Sequence, residues 1–128
     1  MNVQKVFKSF PHAFRGIELV LRERNMQVHV IAVFVVTMAG ILLEIQTFEW
    51  IIIFLCIGIV MSLEAVNTAL EDVCNKLRDD LKLSYDSTKN ARDISAGAVL
   101  ISAGMSVIIA GIIFLPKIVL LLYTLFFK

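Results

Sequence analysis

The sequence predicts an all-α membrane protein, a single domain with an N-terminal amphipathic surface helix and three transmembrane helices. Three observations lead there. The chain has 128 residues, 59% of them hydrophobic and 18% charged, and its mean hydropathy is +0.85. A soluble domain of this length is neither so apolar nor able to bury so many apolar side chains in its own core. Three stretches, residues 26–43, 51–63 and 94–116, contain no Asp, Glu, Lys or Arg. Ten of the 12 Lys and Arg residues fall before the first stretch or between the second and third, which three crossings bring to one side of a bilayer.

Residues 3–27 read as an amphipathic helix interrupted near Pro11. Phe7, Phe10, Phe14, Ile17 and Leu21 recur at alternating spacings of 3 and 4, with Lys5, Lys8, Arg15, Arg22 and Arg24 elsewhere. Such a helix lies in the membrane interface, apolar face down and basic groups towards anionic headgroups. Charges run throughout these residues, so no cleavable signal peptide is expected and the spans are expected to be permanent. The first span is placed at 28–48. The uncharged run at 26–43 reaches ~27 Å at helical rise, close to the ~30 Å hydrocarbon thickness. His29 at its mouth reads as an interfacial anchor or helix partner.

Glu44 and Glu49 bound a short acidic turn, and Trp50 opens the second span where an aromatic-belt residue belongs. This helix is expected over 50–77, its end extending into the cytoplasm, and a polar connection follows over 78–91. The third span is placed at 92–116. Gly97, Gly104 and Gly111 recur every seven residues, with Ala96, Ala103 and Ala110 beside them, and are read as close packing within the helix bundle. Pro116 is expected to end or kink the helix. Residues 117–128 are left as an outer-side tail too short to span. The basic residues put the N-terminus and the second connection in the cytoplasm and the C-terminus outside.

Composition excludes other classes. A net charge of +1 with no dense basic run argues against nucleic-acid binding. Cys56 and Cys74 show neither a CxxC nor a Cys/His spacing, so they read as small buried or interfacial side chains. No P-loop run is present, and His12 and His29 are the only imidazoles, which suggests no Ser-His-Asp arrangement.

The chemistry concentrates where the second span meets water. Glu64, Asn67, Thr68, Glu71 and Asn75 recur at i, i+3, i+4, i+7 and i+11, one face of a helix. Glu23, Glu64 and Glu71 can converge at this boundary, with Arg92 and Asp93 opening the third span at the same level. Few, partly hydrated carboxylate oxygens suit Mg²⁺, which commonly shares its shell with substrate phosphates. A carboxylate at the edge of hydrocarbon suits a proton acceptor. Spacing alone leaves a second reading open, in which these carboxylates pair with Arg22, Arg24 and Arg92 and pin the helices.

The run Glu64-Ala65-Val66-Asn67-Thr68-Ala69-Leu70-Glu71 resembles the E-x-x-N-S/T-A-I/L-E signature of the small bacterial membrane lipid kinases, the diacylglycerol and undecaprenol kinases. Arg92-Asp93-Ile94-Ser95-Ala96-Gly97-Ala98-Val99 resembles the second signature of that family. The stretch from Glu23 to His29 is similar to the E-R-N-x-x-x-H of its undecaprenol kinase branch. The three motifs occur in order within residues 5–117.

This resemblance implies a homotrimer with sites shared between subunits, in a bacterial inner membrane. It implies transfer of the γ-phosphate of MgATP to the hydroxyl of a membrane lipid. Undecaprenol is the favoured acceptor, with diacylglycerol the alternative. Carried over residue by residue, Glu64 would be the general base and Glu23 and Glu71 would bind Mg²⁺. Glu23, Glu71, Asn67, Arg92 and Asp93 would hold ATP, and Glu64, Asn67 and Lys5 would meet the lipid. Two positions depart from the family pattern. Asn75 stands where many members carry Asp, and Arg92 stands where Lys is usual, exchanging a compact ammonium for a planar fork. The rival reading is a non-catalytic helical membrane protein that uses the same charges as anchors.

Overall fold

The computed structural model describes residues 3–126, with side chains from residue 7 onward, so the side chain of Lys5 lies outside the described residues. Four helices follow one another: α1 (Val3–Leu21), α2 (Arg24–Leu42), α3 (Thr47–Leu81) and α4 (Tyr85–Phe126). Three of them, α2, α3 and α4, are long and apolar enough to cross a membrane. Their outward side chains explain why water is the wrong solvent. Phe34, Leu100, Ile101, Val107 and Ile112 are all exposed, and a helix apolar all round is buried in protein or lipid.

The packing divides the bundle into an apolar end and a polar end. At the apolar end Ile45, Ile53, Ile113 and Phe114 form the buried cluster, with Trp50 and Val36 packed against it. The turn between α2 and α3 is tight: Glu44 takes φ of 49°, and the ring of Trp50 lies where a Cβ on Gly40 would fall, at 2.6 Å. Glycine at position 40 is therefore a packing requirement. A capping box closes the start of α3, the Gln46 amide donating to Glu49 at 2.6 Å. The same carboxylate accepts from Lys117 at 3.1 Å, tying α3 to α4.

Helix α3 packs most extensively against α4, while α1 touches α2 and α3 only lightly. From the Glu49–Lys117 pair to the Asn67–Ser95 contact is ~27 Å along α3 and ~33 Å along α4 at helical rise, about one hydrocarbon thickness. The polar residues of the two helices thus lie at the two ends of the apolar span.

Several boundaries differ from the sequence reading. Pro11 lies inside α1, and the chain breaks instead at Arg22 and Glu23. The polar connection expected over 78–91 shrinks to residues 82–84, because α3 and α4 continue beyond the apolar stretch. Charge pairs one turn apart, such as Lys76 with Asp72, support this extension, and Lys82 ends α3 in the left-handed region at φ of 54°. Pro116 does not end α4, which runs to Phe126. A proline removes one backbone donor, and an apolar segment still satisfies its remaining backbone groups best as a helix. The glycine repeat also departs from expectation. A Cβ on Gly97 or Gly104 would meet nothing within 4 Å, so within the chain these glycines pack against no neighbour.

Candidate active site

The polar face of α3 is split by depth. Glu64 and Asn67 are buried, each 3% exposed. Glu64 faces α2, where His29 Nε2 lies 3.9 Å from its Oε2. One turn along, Asn67 is fixed on both sides of its amide. Its Nδ2 donates to Glu71 Oε1 at 3.0 Å, and its Oδ1 accepts from Ser95 Oγ of α4 at 2.6 Å. The amide thereby transmits the α3–α4 register to the carboxylate of Glu71.

Further along, Asn75 Oδ1 accepts from Arg92 Nη2 at 3.0 Å. Arg92 also donates to Thr88 Oγ1 at 3.4 Å, and its guanidinium lies 5.3 Å from the centre of the Tyr85 ring. Arg92 is thus level with Asn75, ~16 Å along α3 from Glu64 and one turn beyond Glu71. Asn75, the uncharged departure, serves as the acceptor that orients this arginine. Asp93 is exposed and borders neither the groove between α1 and α3 nor the slot between α2, α3 and α4.

A groove of about 940 Å³ opens between α1 and α3, and Glu23, Thr68, Glu71, Asp72 and Asn75 line its polar part. Its volume lies in the range of small-molecule and cofactor sites. Glu23 reaches it because the chain breaks there: it is the N-cap residue of α2 in extended conformation and makes no capping bond with its side chain. A second, apolar slot of about 160 Å³ runs between α2, α3 and α4, with His29 at its polar end and Ala32, Val36, Ile57 and Ala103 along it.

Convergence is therefore partial. Glu23 and Glu71 border one groove, whereas Glu64 stands apart with His29, and no cluster of three His, Cys, Asp or Glu occurs among the described residues. The donor set of the groove still fits Mg²⁺ as this ion is usually bound in phosphate sites, by one or two carboxylates with water and phosphate completing the shell. The pinning alternative finds no support in the pairings. Arg22 pairs with Glu18 and Arg92 with Asn75, while Glu64 meets His29 and Glu71 meets Asn67.

One participant escaped the sequence reading and a second was placed without its partner. Ser95 sits within the second signature but gives no sign of bonding to Asn67. His29 was read only as an anchor or helix partner. Only the relative rotation of α2, α3 and α4 reveals both contacts.

The family model described as "Prokaryotic diacylglycerol kinase" matches residues 11–114. The chain belongs to that family. The matched region of this family member contains Glu23, Glu64, Asn67, Glu71, Arg92 and Asp93, and excludes Lys5. Over 79 residues the chain is 46% identical to the undecaprenol kinase of Bacillus subtilis (strain 168), an alignment covering 61% of this chain and 64% of that protein. The alignment thus spans less than two thirds of the relative's length. No solved structure matches this family member.

Proposed function

We propose that the protein is an ATP-dependent lipid kinase that transfers the γ-phosphate of MgATP to the hydroxyl of a membrane lipid, with undecaprenol as the acceptor. One observation carries this reading. A buried carboxylate, Glu64, lies within a membrane-length helix, and Glu71, which with Glu23 lines the polar part of the groove, lies ~10 Å further along it. A lipid hydroxyl approaching from the bilayer and a hydrated triphosphate approaching from water need that separation in depth. Phosphoryl transfer relies on positioning and charge neutralisation more than on covalent steps, and a groove with a few fixed polar groups beside a buried base suits it.

In this reading Glu64 accepts the proton of the lipid hydroxyl. Glu23 and Glu71 would hold Mg²⁺, which when bound neutralises charge on the phosphates. Asn67 keeps Glu71 oriented through the bond anchored by Ser95. Arg92, held by Asn75, presents a fixed positive charge near the groove, and Asp93 and Lys5 are further proposed contacts with nucleotide and lipid. The polar end faces the cytoplasm of a bacterial cell, in the inner membrane, following the positive-inside rule. A homotrimer belongs to the same proposal, supported by the open space beside Gly97 and Gly104 of α4, and α1 is its interfacial helix.

The name of the Bacillus subtilis relative favours undecaprenol, and the description of the family favours diacylglycerol as a second acceptor. Both are tested by incubating the protein in detergent micelles with γ-labelled ATP and either lipid in parallel. The expected result is label in undecaprenol at the higher rate. Label in neither lipid contradicts the proposal.

A further inference from the structure

We propose that His29 is the positioning residue for Glu64 and the outlet for the proton that Glu64 takes up, an inference that rests on the kinase reading above. Transfer to a lipid alcohol forms the bond between the lipid oxygen and the γ-phosphorus and breaks the bond from that phosphorus to the departing ADP oxygen. The hydroxyl proton is left over. It goes to Glu64 and must leave again before the next turnover.

The geometry supplies one way out. The side chain of Glu64 is 4% exposed, so bulk water has little access to its oxygens. Among the described residues its ion-pair partner is His29, from a different helix, with Nε2 at 3.9 Å from Oε2. The side chain of His29 is 20% exposed against 4% for Glu64, and it lies in the second turn of α2, at the polar end of the bundle. A separation of 3.9 Å is longer than a hydrogen bond, and catalytic hydrogen bonds are often long without substrate and shorten in its presence. A second nitrogen lets the His29 ring take a proton on one side and release it from the other.

The approach of the acceptor agrees with this division of labour. His29 stands at the polar end of the apolar slot and beside Glu64, so a hydroxyl at that end of the slot arrives next to the imidazole that faces the carboxylate. With Oε2 held towards the imidazole, Oε1 stays available for the hydroxyl. Cys56 also borders the slot, but it lies two helical turns from Glu64 and is no substitute for the imidazole.

The test compares wild type, H29Q, H29A and E64Q, all as purified protein in lipid-containing micelles with MgATP and undecaprenol. Transfer by wild type and its loss in E64Q establish the kinase reading independently of His29. H29Q is then expected to lower kcat by about tenfold to a hundredfold, with the KM values for MgATP and lipid little changed. Added imidazole is expected to restore part of the kcat of H29A, since removing the ring enlarges the slot beside Glu64. A solvent deuterium isotope effect on kcat of wild type, which requires no variant to fold, is expected to be normal. The inference is overturned if H29Q keeps the wild-type kcat, if imidazole leaves H29A unchanged, or if wild type shows no isotope effect.

Discussion

Ser95→Ala tests how the α3–α4 register reaches the candidate site. The Ser95 hydroxyl has one proton and two acceptors in range, Asn67 Oδ1 at 2.6 Å and the Arg92 carbonyl at 2.9 Å. The shorter contact identifies Asn67 as the main acceptor, and the Arg92 carbonyl loses little without it. Alanine leaves Asn67 Oδ1 buried without its donor. Interhelical hydrogen bonds in membrane proteins average about 0.6 kcal/mol and reach about 1.7, whereas stranding a buried acceptor costs about 1–3 kcal/mol. Burial and the short distance put this bond where the two ranges meet, so a loss of about 1.5 kcal/mol is expected. Once Asn67 can rotate, Glu71 loses the amide that orients it. The KM for MgATP should then rise by up to about tenfold, the ratio to which 1.4 kcal/mol corresponds. Reversible unfolding in mixed micelles measures the first effect and an ATP titration at saturating lipid the second. Ser95→Thr retains the hydroxyl and should stay close to wild type. Unchanged stability and unchanged KM in S95A would refute the reasoning, as would equal damage in S95T.

Gly40→Ala places a methyl group 2.6 Å from the Trp50 ring, and should destabilise the protein by about 1–3 kcal/mol in the same unfolding assay. Asn75→Asp converts the neutral acceptor of Arg92 into a charged one at 3.0 Å; thermal denaturation should show a gain of about 1 kcal/mol, because charge-assisted hydrogen bonds are roughly twice as strong. Glu71→Gln keeps an oxygen for Asn67 but removes the charge, and should raise the Mg²⁺ concentration needed for half-maximal transfer by roughly tenfold or more. An unchanged metal titration in that variant would remove Glu71 from the metal shell.

What could be read from the sequence follows from the physics of each feature. The three spans were legible because lipid demands side chains that are apolar on all faces, and residues 26–43, 51–63 and 94–116 meet that demand without a charge. The ends were not. Hydropathy marks where hydrocarbon stops and not where a helix stops, so the polar final turns of α3 and first turns of α4 were taken for a connection. Pro11 and Pro116 misled in the same direction, since each weakens a helix locally without ending it here. In the candidate site, spacing put Glu64 and Glu71 on one face of α3. It could not show that α2 faces the first while the second lines the groove beside α1. Ser95 was missed, and His29 was read as a helix partner without its Glu64, for one reason: their partners are 28 and 35 positions away, and interhelical register leaves no local pattern.

The central claim is that a carboxylate buried at the edge of the apolar span takes the proton of a lipid hydroxyl while nucleotide binds elsewhere. Glu64→Gln separates the two most directly, because it preserves shape and removes the base. Label transfer from ATP to undecaprenol and equilibrium binding of MgATP should be measured on the same assembled preparation. The account predicts transfer reduced by about a hundredfold or more with MgATP affinity retained. Transfer by E64Q at the wild-type rate would contradict it.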